Sequence, residues 1–394
     1  MTGRITTCYY YHQALKSTSN LKDSYFIGIL QDDFRNINFK MSTIYDAKSL
    51  DEISIHFILC TERTGSSLLC LMLNLHPEII SPSEEPFALY LYPKYHKIVT
   101  WTDEDIASYV EDFFLLADKN MALYFTRRAT FHAELLANKD LLTYERIVKI
   151  SYLNFYESDQ KNKSSVRVIV DKQIKYVYHL TAIQQLFPSA KFILLTRDVR
   201  DNIVSKSIRK LNWNKHPFFL TAIWKGAYAR MLVLPENKRL IIKFEDLIRS
   251  TETALQKICA FLSLEYDSKM KETTGVFEKF VMSKKHLIDA DFTDKLLRFH
   301  TGIRTPLDES KIGQYKAFLS QKDLRIIEGQ CQNQLKSFSY EEIAEKKSSS
   351  IRFSAYQILA FLYRPFLLKL YLQLPPGLKL KLKKRRNRRK SIPV

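Results

Sequence analysis

The sequence predicts an α/β fold of three layers, with a mostly parallel central sheet flanked by helices on both faces. Short apolar runs stand at residues 53 to 60, 166 to 170, 191 to 196 and 239 to 244. Stretches of helical spacing separate them, for example Thr102 to Ala117 and Thr253 to Leu262. Parallel strands buried on both faces read as continuous apolar runs, and joining them requires crossovers that are usually helical. At 394 residues, with 46% apolar and 26% charged, the chain suits one large globular domain with appendages.

Residues 1 to 50 lack strong periodicity and read as an N-terminal extension, with the folded domain expected over 51 to 345 and a separate tail over 346 to 394. The first apolar run passes through Phe57, Ile58 and Leu59 into Cys60-Thr61-Glu62-Arg63-Thr64-Gly65-Ser66-Ser67-Leu68. That pattern is a strand, a tight turn and a helix start. Backbone N–H groups at a helix N-terminus have no intrahelical partner and sit at the positive end of the dipole, so they suit phosphate or sulfate. Ser66 and Ser67 add hydroxyls and Arg63 adds a charged fork. The turn is not a Walker A loop, which needs a second glycine and a Lys directly before Ser or Thr. The run 166 to 170 leads to Asp171 and Lys172, and the run 191 to 196 leads straight into Arg197, with Ser205 and Arg209 beyond it. Two strand ends that each open an anion-suited turn fit the rule that open α/β sheets bind ligands at the carboxyl ends of their strands. Glu245-Asp246-Leu247, after the fourth run, reads as a solvated acidic cap.

On these residues the chain resembles the sulfotransferases that use 3′-phosphoadenosine 5′-phosphosulfate (PAPS), nearest their tyrosylprotein and bacterial branches. The resemblance covers roughly residues 53 to 316, is weakest in the middle, and implies a P-loop-type fold. It implies that Arg63, Thr64, Gly65, Ser66, Ser67 and Leu68 hold the 5′-phosphosulfate and that Arg197 and Ser205, with Arg209 one helical turn on, hold the 3′-phosphate. Lys172 and Arg63 take the place of the cations that stabilise the leaving group, and Arg304 and Lys311 fall in a segment resembling the one that closes over the nucleotide. His76-Pro77, with acidic residues after it, resembles the turn that ends the first helix, so His76 is assigned a structural role. The base implied is a carboxylate: Glu84 agrees with residue counting from Arg63, Glu85 with a Glu-Pro pairing, and the choice stays open. On this reading PAPS is the sulfuryl donor, no metal is required, and the acceptor is a hydroxyl or amine on a small molecule, a glycan or a lipid. A nucleotide kinase or NTPase with a degenerate loop, and a non-catalytic membrane or nucleic-acid binding module, are the alternatives.

Cys8, Cys60, Cys70, Cys259 and Cys331 are odd in number and show no metal-ligand spacing. The polar N-terminus has no apolar signal core, which leads to the expectation of a cytoplasmic protein. Phe87, Tyr90, Tyr92, Tyr95 and Trp101 either line an acceptor pocket or form the core face of an insertion. From Ile351 to Leu374 the chain is apolar but interrupted by Arg352, Arg364, Pro365 and Lys369, a poor transmembrane span. Nine Lys and Arg follow between 379 and 390, and removing them takes the formal net charge from +19 to +10. A basic run beside an apolar one suits the anionic cytoplasmic face of a membrane; a solubilising tail after a core helix, or a nucleic-acid arm, fits the same composition, with nucleic acid the least favoured.

Overall fold

The computed structural model describes residues 43–82, 87–116, 124–155, 162–208, 216–288, 290–343, 351–375, 378 and 382. In chain order the principal elements begin with α1 (Ala47–Glu52), β1 (Ser54–Leu59), α2 (Ser66–Asn74), β2 (Ile79–Ile80), α3 (Phe87–Tyr95), α4 (Asp103–Leu116), α5 (Arg128–Ala137), α6 (Tyr144–Leu153) and β3 (Val168–Lys172). There follow α7 (Leu180–Leu186), β4 (Phe192–Thr196), α8 (Val199–Ile208), α9 (Pro217–Met231), β5 (Arg239–Lys243), α10 (Phe244–Arg249) and α11 (Thr251–Leu262). The C-terminal part holds α12 (Val276–Ser283), α13 (Ala290–Phe299), α14 (Tyr315–Phe318), α15 (Gln321–Ser337), α16 (Ile351–Phe361) and α17 (Leu367–Gln373), the last two joined by a π turn, Leu362–Phe366.

The five strands form one parallel sheet in the order β2-β3-β1-β4-β5. Every residue of β3 and β4, and all but the first of β1, is buried. Successive side chains of a strand point to opposite faces, so burial of consecutive residues means that helices cover both faces. The edge strand β5 is only partly buried. Four strands coincide with the apolar runs of the sequence, β3 starting later and extending to Lys172; β2, two residues long, has no sequence signal. From β1 the chain passes to the edge strand β2, returns to β3, and then crosses β1 to reach β4 and β5. The connections leaving the neighbours β1 and β4 run in opposite directions, so a switch point falls between them, where such folds bind ligands.

The last described part of the N-terminal extension is packed. Asp46 caps α1 by accepting from Ser49 N–H, Leu50 is buried, Arg146 grips Asp51 with both arms, and Tyr45 donates to Glu134 at 2.5 Å. At the other end α16 lies on α9 and buries Phe353, with Tyr356 stacked on His216 at 4.6 Å between ring centres. Phe87, Tyr90, Tyr95 and Trp101 are buried, and Phe87 packs on Phe113 and Tyr152 while Tyr95 stacks on Trp101. Of the two readings of this cluster, the structure shows the core face.

Candidate functional site

The turn after β1 owes its shape to three residues. The Thr64 hydroxyl donates to the Thr61 carbonyl at 2.9 Å, Arg63 takes the left-handed region at φ +66°, and Gly65 follows it at φ +85° as the N-cap of α2. Gly65 is required twice over, because a Cβ there would also lie 2.5 Å from Cδ2 of Phe244. No side chain caps α2. Its first N–H groups therefore point toward whatever anion stands before the helix. Thr64 is fully buried with its hydroxyl committed to the turn, which leaves its backbone N–H for a ligand.

Arg197, at the end of β4, is 5% exposed. Its guanidinium lies 4.6 Å from the centre of the Phe244 ring and donates to the carbonyls of Arg63 (3.2 Å) and Lys311 (2.6 Å). The buried Nε has no partner. Burial lowers the Arg197 pKa, partly offset by Asp201, Glu245 and Asp198 nearby. An orphaned buried donor on a cation has a large unmet preference for an anion.

Helix α8 then closes the gap between the two turns. Arg63 Nε donates to Ser205 Oγ at 3.3 Å, Asn202 Nδ2 donates to the Glu62 carbonyl at 2.9 Å, and Lys206 Nζ stands 3.6 Å from Glu62 Oε2. Asn202, Ser205 and Lys206 share one helix face by their spacing of three and four, and that face meets the first turn. Sequence reasoning found Ser205 but missed Asn202 and Lys206, although Asn202 lies three residues before it and Lys206 directly after it. Lys172 ends β3, is buried, and is paired in register with Ile58 of β1. Its neighbour Asp171 accepts from the phenols of Tyr152 and Tyr176, each at 2.6 Å, and burial pushes its pKa up to about 6.

A third segment covers Arg197. The Asp201 carboxylate accepts the N–H groups of Gly313 (2.6 Å) and Tyr315 (2.9 Å), and Arg200 stacks on the Tyr315 ring at 4.4 Å while pairing with Asp198 and Glu328. Lys311 meets Arg197 through its carbonyl; its ammonium pairs with Asp308 at 3.3 Å and is half exposed. Arg304 is directed elsewhere, with its fork on Glu278 at 2.9 and 3.2 Å. Glu245 is buried rather than a solvated cap, accepting from Asp198 N–H and the Tyr340 hydroxyl. His76 is structural: Nδ1 accepts from Glu78 N–H, so Nε2 carries the proton and donates to the Glu265 carbonyl at 2.8 Å. Glu84, Glu85 and Arg209 lie outside the described residues. Among the described residues no group of three or more His, Cys, Asp or Glu side chains is placed to hold a metal ion.

The arrangement is thus a pair of turns at adjacent strand ends, each carrying a buried or half-buried Arg, joined by one helix. A family model described as the sulfotransferase family matches residues 56–268. The chain belongs to the sulfotransferase family. Over 100 residues it is 32% identical to a Caenorhabditis briggsae protein named "Putative protein-tyrosine sulfotransferase", a match that takes in 23% of this chain and 35% of that one. The chain therefore spans about a third of the length of this curated relative. Among solved structures, the sulfotransferase domain of the Synechococcus PCC 7002 olefin synthase is 19% identical, covering 73% of this chain and 95% of its own, with a TM-score of 0.48. The sulfotransferase domain from the curacin biosynthetic pathway is 18% identical, covering 74% and 99%, with a TM-score of 0.44. The family match contains Arg63, Lys172, Arg197 and Ser205 and leaves the 301–315 segment outside it.

Proposed function

We propose that this sulfotransferase-family chain moves the sulfuryl group of PAPS, its donor substrate, to a hydroxyl or amine acceptor on a glycan or lipid. The observation that carries the reading is the contact of Arg63 Nε with Ser205 Oγ at 3.3 Å. It joins two anion-suited turns from different strands, as a nucleotide with a phosphosulfate at one end and a phosphate at the other demands. The residues suit that donor: a glycine turn that a Cβ would fill, a helix with no side-chain cap, and a buried guanidinium with an unpartnered Nε.

On this reading the amides of Thr64 to Leu68 and the Ser66 and Ser67 hydroxyls hold the phosphosulfate, and Arg197, Ser205 and Arg209 hold the 3′-phosphate. Lys311 borders the nucleotide through the backbone that Arg197 grips; Arg304 would have to leave Glu278 to reach it. The donor supplies an SO3 group on a phosphate leaving group, so transfer breaks the sulfur–bridging-oxygen bond and forms one from sulfur to the acceptor atom. Lys172 and Arg63 supply positive potential where charge grows on the leaving phosphate, and do so at low dielectric because Lys172 is buried. The acceptor proton passes to a carboxylate, Glu84 or Glu85. Both belong to the segment that follows β2, the neighbour of β3, whose carboxyl end carries Lys172.

Isothermal titration of the full chain with the desulfonated nucleotide, PAP, against ATP tests this. PAP binding at least about tenfold tighter than ATP is expected, since one charge-assisted contact to a 3′-phosphate is worth about 1.5 to 3 kcal/mol. Equal affinities, or none for PAP in the folded protein, would overturn it.

A further inference from the structure

We infer that α16, the π turn and α17 form a docking surface for an anionic lipid bilayer. Of the seventeen large apolar side chains exposed among the described residues, nine lie between Ile351 and Leu382. Ile358, Leu362, Phe366 and Leu370 recur every four residues along this stretch, with Phe361 and Leu367 beside them. Such spacing keeps them on one side of a helix, and the π turn at Leu362–Phe366 adds the extra residue per turn that a strict repeat of four needs.

The inner side of the same helices is already used. Phe353 is fully buried, Tyr356 stacks on His216, and Phe219 packs against Tyr356 and Tyr363. A surface helix ordinarily turns polar residues outward, whereas here Ile358, Leu362, Phe366 and Leu370 face outward between the exposed Arg352 and Ser354 at one end and Gln373 at the other. Beside it a groove of about 460 Å³ opens between α9 and α16, lined by Ala222, Gly226, Ala229 and Tyr178 and sharing Ile358 and Phe361 with the ridge. Among the described residues no helix is long and apolar enough to cross a membrane. The ridge therefore lies on a bilayer rather than spanning it.

Charge selects the occupant. The chain continues from the ridge into nine Lys and Arg between 379 and 390, about half of the net charge of +19. A second copy would bring like charges together, whereas anionic headgroups neutralise them and the acyl region receives the apolar side chains. The ridge also contacts the turn that follows β3. Tyr371 of α17 packs edge-on against Tyr90 at 5.4 Å, and Lys175, three residues past Lys172, lies over both rings. If the transferase reading above holds, docking brings the turn that follows Lys172 near the lipid surface.

The test is sedimentation of the full-length chain with vesicles of phosphatidylcholine alone or with one third phosphatidylglycerol, at low and high salt. Anionic vesicles are expected to bind about tenfold or more tightly than neutral ones at low salt, with the preference shrinking at high salt. The combined Leu362→Ser, Phe366→Ser and Leu370→Ser variant, and a separate Arg385→Gln, Arg386→Gln, Arg388→Gln and Arg389→Gln variant, should each weaken that binding by about tenfold. All substituted residues of the first variant are about half exposed, so its melting temperature should match the parent. Equal binding to both vesicle types, binding untouched by the ridge variant, or a solution dimer that the ridge variant dissociates would each overturn the proposal. PAP titration without vesicles reads the transferase site separately, so failure of one reading is distinguishable from failure of the other.

Discussion

Substituting Gly65 by alanine probes the junction of the two turns. At φ +85° a Cβ costs about 1 to 2 kcal/mol of left-handed strain. That Cβ would also sit 2.5 and 2.9 Å from Cδ2 and Cε2 of Phe244. Ordinary carbon contacts lie at about 3.5 to 4.0 Å, so the ring must retreat by about 1 Å, and forced repacking of this kind costs about 1 to 3 kcal/mol. The expected loss of stability for Gly65→Ala is therefore about 2 to 5 kcal/mol, read by urea unfolding. The same ring lies 4.6 Å from the Arg197 guanidinium, so the displacement reaches the second turn and PAP affinity should fall with stability. Phe244→Val removes both clashing atoms. In that background Gly65→Ala should retain only the backbone strain, a difference of about 1 to 3 kcal/mol between backgrounds. Equal cost in both backgrounds would refute the steric argument, and a cost under about 1 kcal/mol in the parent would refute the strain argument as well.

Arg197→Ala should weaken PAP binding about tenfold or more by titration, and Arg197→Lys should not restore it, because a lysine lacks the fork that spans Arg63 and Lys311. Lys172→Ala should lower kcat by more than it weakens nucleotide binding, measured by radiolabelled sulfuryl transfer; a loss confined to affinity would remove Lys172 from the chemistry. Glu84→Gln and Glu85→Gln made separately should leave one variant active and one inactive, and activity in the double variant would end the carboxylate-base mechanism. His56, which accepts from Lys191 N–H through Nδ1, is held by burial at a pKa of about 4 against an ordinary 6.5. The unfolded chain takes that proton first, so the stability His56 contributes above pH 6.5 is lost as pH falls toward about 4. His56→Asn keeps an acceptor near Nδ1, and across that window it should flatten the stability profile relative to the parent by on the order of 3 kcal/mol. Asp171, pushed up to about 6, and His179, at about 4, titrate in both proteins, so the difference between the two profiles isolates His56.

Strands buried on both faces announce themselves, which is why β1, β3, β4 and β5 follow from apolar runs while β2, with two residues, does not. The turn residues were legible for a related reason: Arg63 and Arg197 end apolar runs with a charge, and Gly65 marks a left-handed turn between a strand and a helix. Phe244 was not, because a Phe at a strand end reads as ordinary packing, and only its position under both turns gives it a second role. Residues 351 to 374 were hard to place because their pattern lacks contrast. The helix buries Phe353 and Ala360 on one side and exposes Ile358 and Phe361 on the other, so hydropathy alone cannot say which side faces the protein.

The segment over Arg197 shows what spacing cannot carry. Asp201 holds Gly313 and Tyr315 across 112 and 114 residues of sequence, and Arg197 reaches Lys311 over a similar separation. Arg200, buried between Asp198 and Glu328, fixes α8 to α15 while stacking on Tyr315. A buried ion pair of this kind gives little net stability, because desolvation offsets the attraction, but removing one partner strands the other charge. Its effect here is orientation: with both Asp198 oxygens on Arg200, Glu328 shared between Arg200 and the Ile343 N–H, and Glu245 hydrogen-bonded to Tyr340, these acids are largely engaged elsewhere than on Arg197. Arg197 is then left with two carbonyls, an aromatic face and an unpartnered Nε. The fold thus spends its local carboxylates on the neighbouring arginine and on backbone N–H groups, keeping positive potential at the strand end where an anionic ligand would dock.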